Sequence, residues 1–191
     1  AASDVYKRQF VYRTHDVPDE EKIQKLCTFI NNFGHSMHVA NKEVRPKEIQ
    51  KLLAKVDGTP EGDFISRLAL RSMKQAKYTP ENTGHFGLAA QYYCHFTSPI
   101  RRYPDLQIHR IIKETLRGRM NENRMEHYES ILPEVTKHAS QMERRAEEAE
   151  RETIRLKKAE YMEQHIGEVF AGVISSITTV SYTHLTLPTI A

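Results

Sequence analysis

The residues best suited to chemistry lie in one run, His95-Phe96-Thr97-Ser98-Pro99-Ile100-Arg101-Arg102-Tyr103-Pro104-Asp105. Ser98 is a good N-cap and Pro99 fits a first helical position, so the run is read as the start of a helix at residues 97–99. Pro104 then kinks that helix or begins a second one. A helix N-terminus offers free amide protons and partial positive charge, which suits a phosphate. Arg101 and Arg102, placed on its first turn, add two permanently charged planar forks. Tyr92, Tyr93, Phe96 and Tyr103 either stack on unpaired bases or fill the core. An alternative stays open, in which the arginines pair with acids such as Asp105 and the tyrosines pack.

The elements around this run are read from periodicity. A short strand covers 10–15, and Asp19 stands where it can cap a helix over 20–32, with Ile23, Leu26, Cys27 and Ile30 on one face. Pro46 opens a helix over 46–56 that the Asp57-Gly58-Thr59-Pro60 turn stops, and a third helix runs over 62–75. These apolar stripes are scaffold. Residues 85–96 read as two short strands or an extended walk. After a helix ending near Gly118 come a polar linker at 121–124, a short helix, and the longest helix over 133–165. Its stripe is Met142, Ala146, Ala149, Thr153, Leu156, Ala159, Met162 and Ile166. A strand follows at 168–177. The fold class is α+β, predominantly helical, with a few short strands.

Composition narrows the function classes. With 191 residues and 39% hydrophobic side chains the chain holds one ordinary domain and a piece of another. A net charge of +3 permits a polyanionic partner without demanding one. Cys27 and Cys94 form no ligand or disulfide spacing, and the ten histidines include no HxH or HExxH pattern. No apolar run approaches membrane-spanning length and no signal architecture is present, so a cytoplasmic protein is expected. Residues 1–9 and 180–191 resemble translated sequencing-adapter sequence. They are expected to lie outside the fold, and resequencing through both junctions checks this.

The run from Leu70-Arg71-Ser72-Met73-Lys74-Gln75-Ala76 through Tyr78-Thr79-Pro80-Glu81-Asn82-Thr83-Gly84-His85-Phe86-Gly87-Leu88 to Arg102-Tyr103-Pro104-Asp105-Leu106 closely resembles the RNB catalytic domain of the RNase R and RNase II exoribonucleases. Thr14-His15-Asp16, Met142-Glu143-Arg144-Arg145-Ala146 and Gly167-Glu168-Val169-Phe170-Ala171-Gly172 match the same family in the same order. The resemblance implies that 10–166 is the C-terminal part of an RNB domain and 167–179 a truncated first strand of an oligonucleotide-binding barrel. One strand cannot close a barrel, so that segment is expected to fray or dock elsewhere.

The resemblance further implies a monomeric 3′-to-5′ hydrolase acting on single-stranded RNA, not DNA, with Mg2+, and releasing nucleoside 5′-monophosphates. Arg101 matches the family's catalytic arginine, which stabilises charge building on the phosphoryl oxygens. Glu143 matches the glutamate that helps position the terminal nucleotide. Thr97, Ser98, Arg102 and Tyr103 are carried over as RNA-binding channel lining. The family's metal-binding aspartate cluster has no counterpart, since Asp16, Asp19, Asp57, Asp63 and Asp105 are scattered. The aromatic clamp for the terminal base also lies outside the matched part. No metal ligand is therefore assigned, no Mg2+ is expected on this segment, and the segment alone is expected to be inactive. Two competing readings are a non-catalytic RNA-binding module and a helical interaction module using the long helix.

Overall fold

Apolar residues at three- and four-residue intervals make three short helices and force them together. The computed structural model describes residues 10–40, 43–171, 173–174 and 185–186, and backbone contacts divide the chain into units 1–144 and 145–191. In the first unit α1 (Glu20–Asn31), α2 (Pro46–Val56) and α3 (Gly62–Ser72) bury Leu26, Ile30, Leu52, Val56, Ile65 and Ala69 in one cluster. Burying side chains of this size stabilises by about 1.5–3 kcal/mol each. Asp19 does stand at the N-cap of α1 with extended backbone, but its side chain caps nothing. Its carboxylate instead takes the Lys74 ammonium at 2.9 Å.

The turn between α2 and α3 brings backbone against backbone at Gly62. A Cβ there would lie 2.2 Å from the Val56 carbonyl oxygen, an approach that no side chain can make without moving the turn. Gly62→Ala is expected to cost about 2 kcal/mol by overpacking. Urea denaturation checks this, and an unchanged midpoint would show that the turn yields freely.

A second core forms where β1 (Tyr12–Thr14) pairs antiparallel with β4 (Lys77–Thr79), in the register Tyr12↔Thr79, Arg13↔Tyr78, Thr14↔Lys77. Between them lies the small β2 (Val39–Ala40) and β3 (Glu43–Val44) ladder. Phe10, Val11, Tyr12 and Tyr78 pack with Ile108 and Ile111 of α4 (Tyr103–Leu116) and with Tyr128 and Leu132 of α5 (Glu122–Glu163). Residues 85–96 are an extended walk broken by a 3-10 turn at Phe86–Leu88.

Boundaries differ from expectation in three places. Helix α3 stops at Ser72 and not at 75. The helix expected to open at Thr97-Ser98-Pro99 opens at Tyr103, with Pro104 in its first turn. The short helix and the long one expected from Pro133 are a single helix of 42 residues with Pro133 inside it. Proline removes one ladder hydrogen bond. Tyr128, Leu132, Thr136 and Ser140, all buried at four-residue spacing, pack this stretch, and the helix continues across that loss.

The expected stripe is uncovered among the described residues: Met142, Ala146, Ala149, Thr153, Leu156, Ala159 and Ile166 are all exposed, and Met162 is half-buried. His165 and Glu168 pair at 2.9 Å after the helix. Of the segment 167–179, Val173–Ile174 is strand β5, paired antiparallel with β6 (Leu185–Thr186). Gly172, 175–179 and almost all of the two adapter-like ends lie outside the described residues.

Candidate functional site

Residues 97–102 form a loop tied down at both ends. Ser98 is held through its amide N–H, which donates to Asp105 Oδ2 at 2.8 Å, and through its carbonyl, which accepts from the amides of Arg101 at 3.3 Å and Arg102 at 3.0 Å. The Arg102 guanidinium donates to the same Asp105 oxygen at 2.9 Å. Asp105 is fully buried, at 0% exposure, in the first turn of α4. The amide of Ser98 is thus claimed by a side chain seven residues on, which explains why no helix starts there.

The two arginines consequently differ. Arg102 is half-buried and paired, the arrangement left open from the sequence. Arg101 is exposed and forms no ion pair or side-chain hydrogen bond among the described residues. Beside it, Ile100 is fully exposed, and Thr97, Phe96 and Tyr103 are also exposed. Tyr103 is oriented by Gln107, whose amide nitrogen donates to the phenol oxygen at 2.6 Å. Phe96 stacks flat on His109 at 4.2 Å between centroids.

Glu143 sits on α5 facing the β1–β4 pair, where Arg13 Nη1 donates to its Oε2 at 2.5 Å. The other oxygen, Oε1, has no partner among the described residues. The Arg13 guanidinium also lies over the Tyr78 ring, 4.6 Å from its centroid. The backbone of Tyr78 donates to Ser140 Oγ at 2.9 Å, which pins β4 to α5 one turn before Glu143. Arg13 and Tyr78 escaped the sequence reading, since Arg13 and Glu143 are 130 positions apart, and His95 headed the chemistry-bearing run without being given a role. The only signal for Arg13 and Tyr78 was membership of the matched segments.

Tyr78 and His95 bridge the two charged groups. With its ring neutral and protonated on Nε2, His95 accepts the Tyr78 hydroxyl at Nδ1, 2.8 Å away. Burial, reinforced by the Glu143 carboxylate, pushes Tyr78 up to about 12. His95 is held below its ordinary 6.5, first by burial and then by the Arg102 and Arg13 cations. Both rings therefore sense Arg102–Asp105 and Arg13–Glu143 together. Arg102 and Glu143 thus both act on the one Tyr78–His95 pair, and Ser98 is tied to it only through Asp105.

Edge contacts continue the row from His95 to Tyr93 at 5.7 Å, from Tyr93 to His85 at 5.0 Å and from His85 to His15 at 5.1 Å. His85 is also depressed, by burial first and by His15 next. A depressed folded-state value favours the neutral ring in the fold. This stabilisation is complete above the ordinary 6.5 and is lost as pH falls from there toward the folded-state values. The urea midpoint is accordingly expected to drop between about pH 7.5 and about pH 5.5, above the carboxylate range. A flat or rising midpoint over that interval would contradict the buried histidine row.

No three His, Cys, Asp or Glu side chains among the described residues converge to hold a metal ion. Asp16 bonds Lys77 and Thr83, each at 3.0 Å, Asp19 bonds Lys74, and Asp105 is buried with Arg102. The described residues do not fit a magnesium site. No helix among the described residues is long and apolar enough to cross a membrane.

Comparison with known proteins adds lineage to this geometry. The family model described as RNB domain matches residues 2–118, taking in Arg13, Tyr78, Arg101 and Asp105 and stopping short of Glu143. Ribonuclease R 1 of Lactococcus lactis is 44% identical over 169 residues, covering 88% of this chain and 21% of that protein. Mycoplasma genitalium RNase R in complex with ribose-methylated single-stranded RNA superposes with a TM-score of 0.85 at 26% identity, over 93% of this chain and 28% of that one. Yeast Ssd1, a pseudonuclease, superposes with a TM-score of 0.59 at 25% identity, over 73% of this chain and 18% of that one. The chain spans between a fifth and a quarter of the length of the curated relatives it matches.

Proposed function

The chain belongs to the RNB-domain family, and from that premise we propose that it is the arginine-bearing part of a magnesium-dependent 3′-to-5′ exoribonuclease that hydrolyses single-stranded RNA to nucleoside 5′-monophosphates. The observation that carries this reading is Arg101. It is an exposed guanidinium, unpaired among the described residues, on a loop that Asp105 holds through the Ser98 amide and the Arg102 guanidinium. Attack of water on a phosphodiester phosphorus builds negative charge on the non-bridging oxygens before the bond to the ribose 3′-oxygen breaks. A fixed cation aimed at those oxygens lowers the barrier without having to reorganise. Arg101 has no competing carboxylate among the described residues to relinquish. Always protonated, it serves as an electrostatic group and not as a base.

Glu143 has a different task. A carboxylate accepts hydrogen bonds only, and the donors on an RNA terminus are the ribose hydroxyls and base amino groups. With Oε2 held by Arg13, Oε1 is left to accept from the terminal nucleotide. Thr97 and Tyr103 line the approach, whereas Arg102 acts mainly within the protein. Magnesium would supply a polarised water and charge neutralisation at the phosphate. Its ligands are proposed to come from outside the described residues, so the segment alone is inactive. The complete enzyme is proposed to act as a monomer in the cytoplasm, on RNA and not on DNA.

The test is product analysis with the full-length reading frame on a single-stranded oligoribonucleotide. Magnesium-dependent accumulation of nucleoside 5′-monophosphates is expected. Fragments from internal cuts, beyond a short remnant of the 5′ end, or 3′-monophosphates would contradict the reading. The likeness to a pseudonuclease favours one second reading, an RNA-binding module without catalysis. Under that reading salt-dependent RNA binding persists while no mononucleotide appears.

A further inference from the structure

We propose that Asp105 is a positioning residue for Arg101, acting through the loop and never touching RNA. The inference rests on the reading of Arg101 given above. Asp105 reaches both sides of the arginine. One carboxylate oxygen binds the amide of Ser98, three residues before Arg101, and the guanidinium of Arg102, the residue after it. The Ser98 carbonyl closes the turn on the amides of Arg101 and Arg102, so the backbone that carries Arg101 hangs from one carboxylate.

That carboxylate is itself immobile. Asp105 is fully buried and follows Pro104, also buried, whose ring fixes its own backbone at the start of α4. The other oxygen, Oδ1, and Arg102 Nε are buried and bonded to nothing among the described residues. A buried charge with incomplete compensation is costly, so stability alone is a poor reason for a carboxylate here. Holding a loop in one geometry is a good one, because a group misplaced by about 1 Å can lose about a hundredfold in rate. The side chains of the neighbouring Ile100, fully exposed, and Arg101, in no ion pair or side-chain hydrogen bond among the described residues, contribute nothing to holding the loop.

The experiment is a double-mutant cycle in the full-length enzyme, reading single-turnover cleavage, RNA affinity and melting temperature for Arg101→Ala, Asp105→Asn and the pair. Asparagine keeps the shape and an oxygen that can accept the Ser98 amide, but it removes the negative charge that holds the Arg102 guanidinium. Asp105→Asn is expected to slow cleavage about 30-fold with affinity within about twofold, and to slow it no further in the Arg101→Ala background. If the asparagine variant does not fold, Arg102→Lys replaces it, with an expected loss of about fivefold and the same non-additivity. Cleavage by Asp105→Asn within about twofold of the parent, or its full penalty persisting without Arg101, overturns the positioning role alone. Normal cleavage by Arg101→Ala instead overturns the reading of Arg101 itself and the positioning role with it.

Discussion

Arg101→Ala in the full-length enzyme is expected to lower single-turnover cleavage by about 10²–10³-fold while RNA affinity changes by about threefold or less. The asymmetry follows from where the charge is needed. In the ground state the phosphodiester carries one delocalised charge that many contacts share along the strand. In the transition state the added charge sits on the non-bridging oxygens of one phosphoryl group, and only a group fixed beside them responds. Loop residues 98–102 provide that fixity through Ser98, Arg102 and Asp105. Arg101→Lys should recover only part of the rate, because an ammonium is a point charge without the planar fork. Equal losses in affinity and cleavage would instead mark Arg101 as a general phosphate contact.

Arg13→Ala is expected to destabilise the fold by about 3 kcal/mol. Arg13 and Glu143 are only 12% and 27% exposed, so removing the cation leaves a carboxylate partly desolvated without its partner. The Tyr78 ring loses its covering guanidinium in the same step. Arg13→Lys keeps the charge but cannot cover the ring and meet Glu143 in one plane, so a smaller loss of about 1 kcal/mol is expected. Equilibrium urea unfolding of the three proteins checks the order. A change below about 0.5 kcal/mol for Arg13→Ala would show the pair to be as weak as a surface salt bridge.

Much of the scaffold was legible because helical periodicity is local. Ile23, Leu26 and Ile30, or Ile49, Leu52 and Val56, declare their faces without knowledge of what packs on them, and all six are buried. Pro46 marks the start of α2 where expected. Errors came where a distant partner overrode a local signal. Ser98-Pro99 has every feature of a helix start, yet the Asp105 side chain takes the amide and holds a turn instead. Pro133 has every feature of a break, yet Tyr128, Leu132, Thr136 and Ser140 pack the helix through it. Strand β4 has three residues, too few for an alternation to show.

The same division runs through the site. Arg101 and Glu143 were named from matched motifs, whereas Arg13, Tyr78 and His95 emerge only once β1, β4 and α5 are brought together. Arg102 illustrates why residue type alone is insufficient. An arginine next to another arginine reads as a phosphate grip, but a buried aspartate three residues on turns it into a structural group.

The most direct test of the account is polarity of digestion. Full-length enzyme in magnesium should shorten a 5′-labelled single-stranded RNA progressively from its 3′ end, leaving a short labelled remnant, and should leave a DNA strand of the same sequence intact. Immediate release of a labelled mononucleotide from the 5′ end, internal cuts, or an RNA that is bound but never shortened would contradict it.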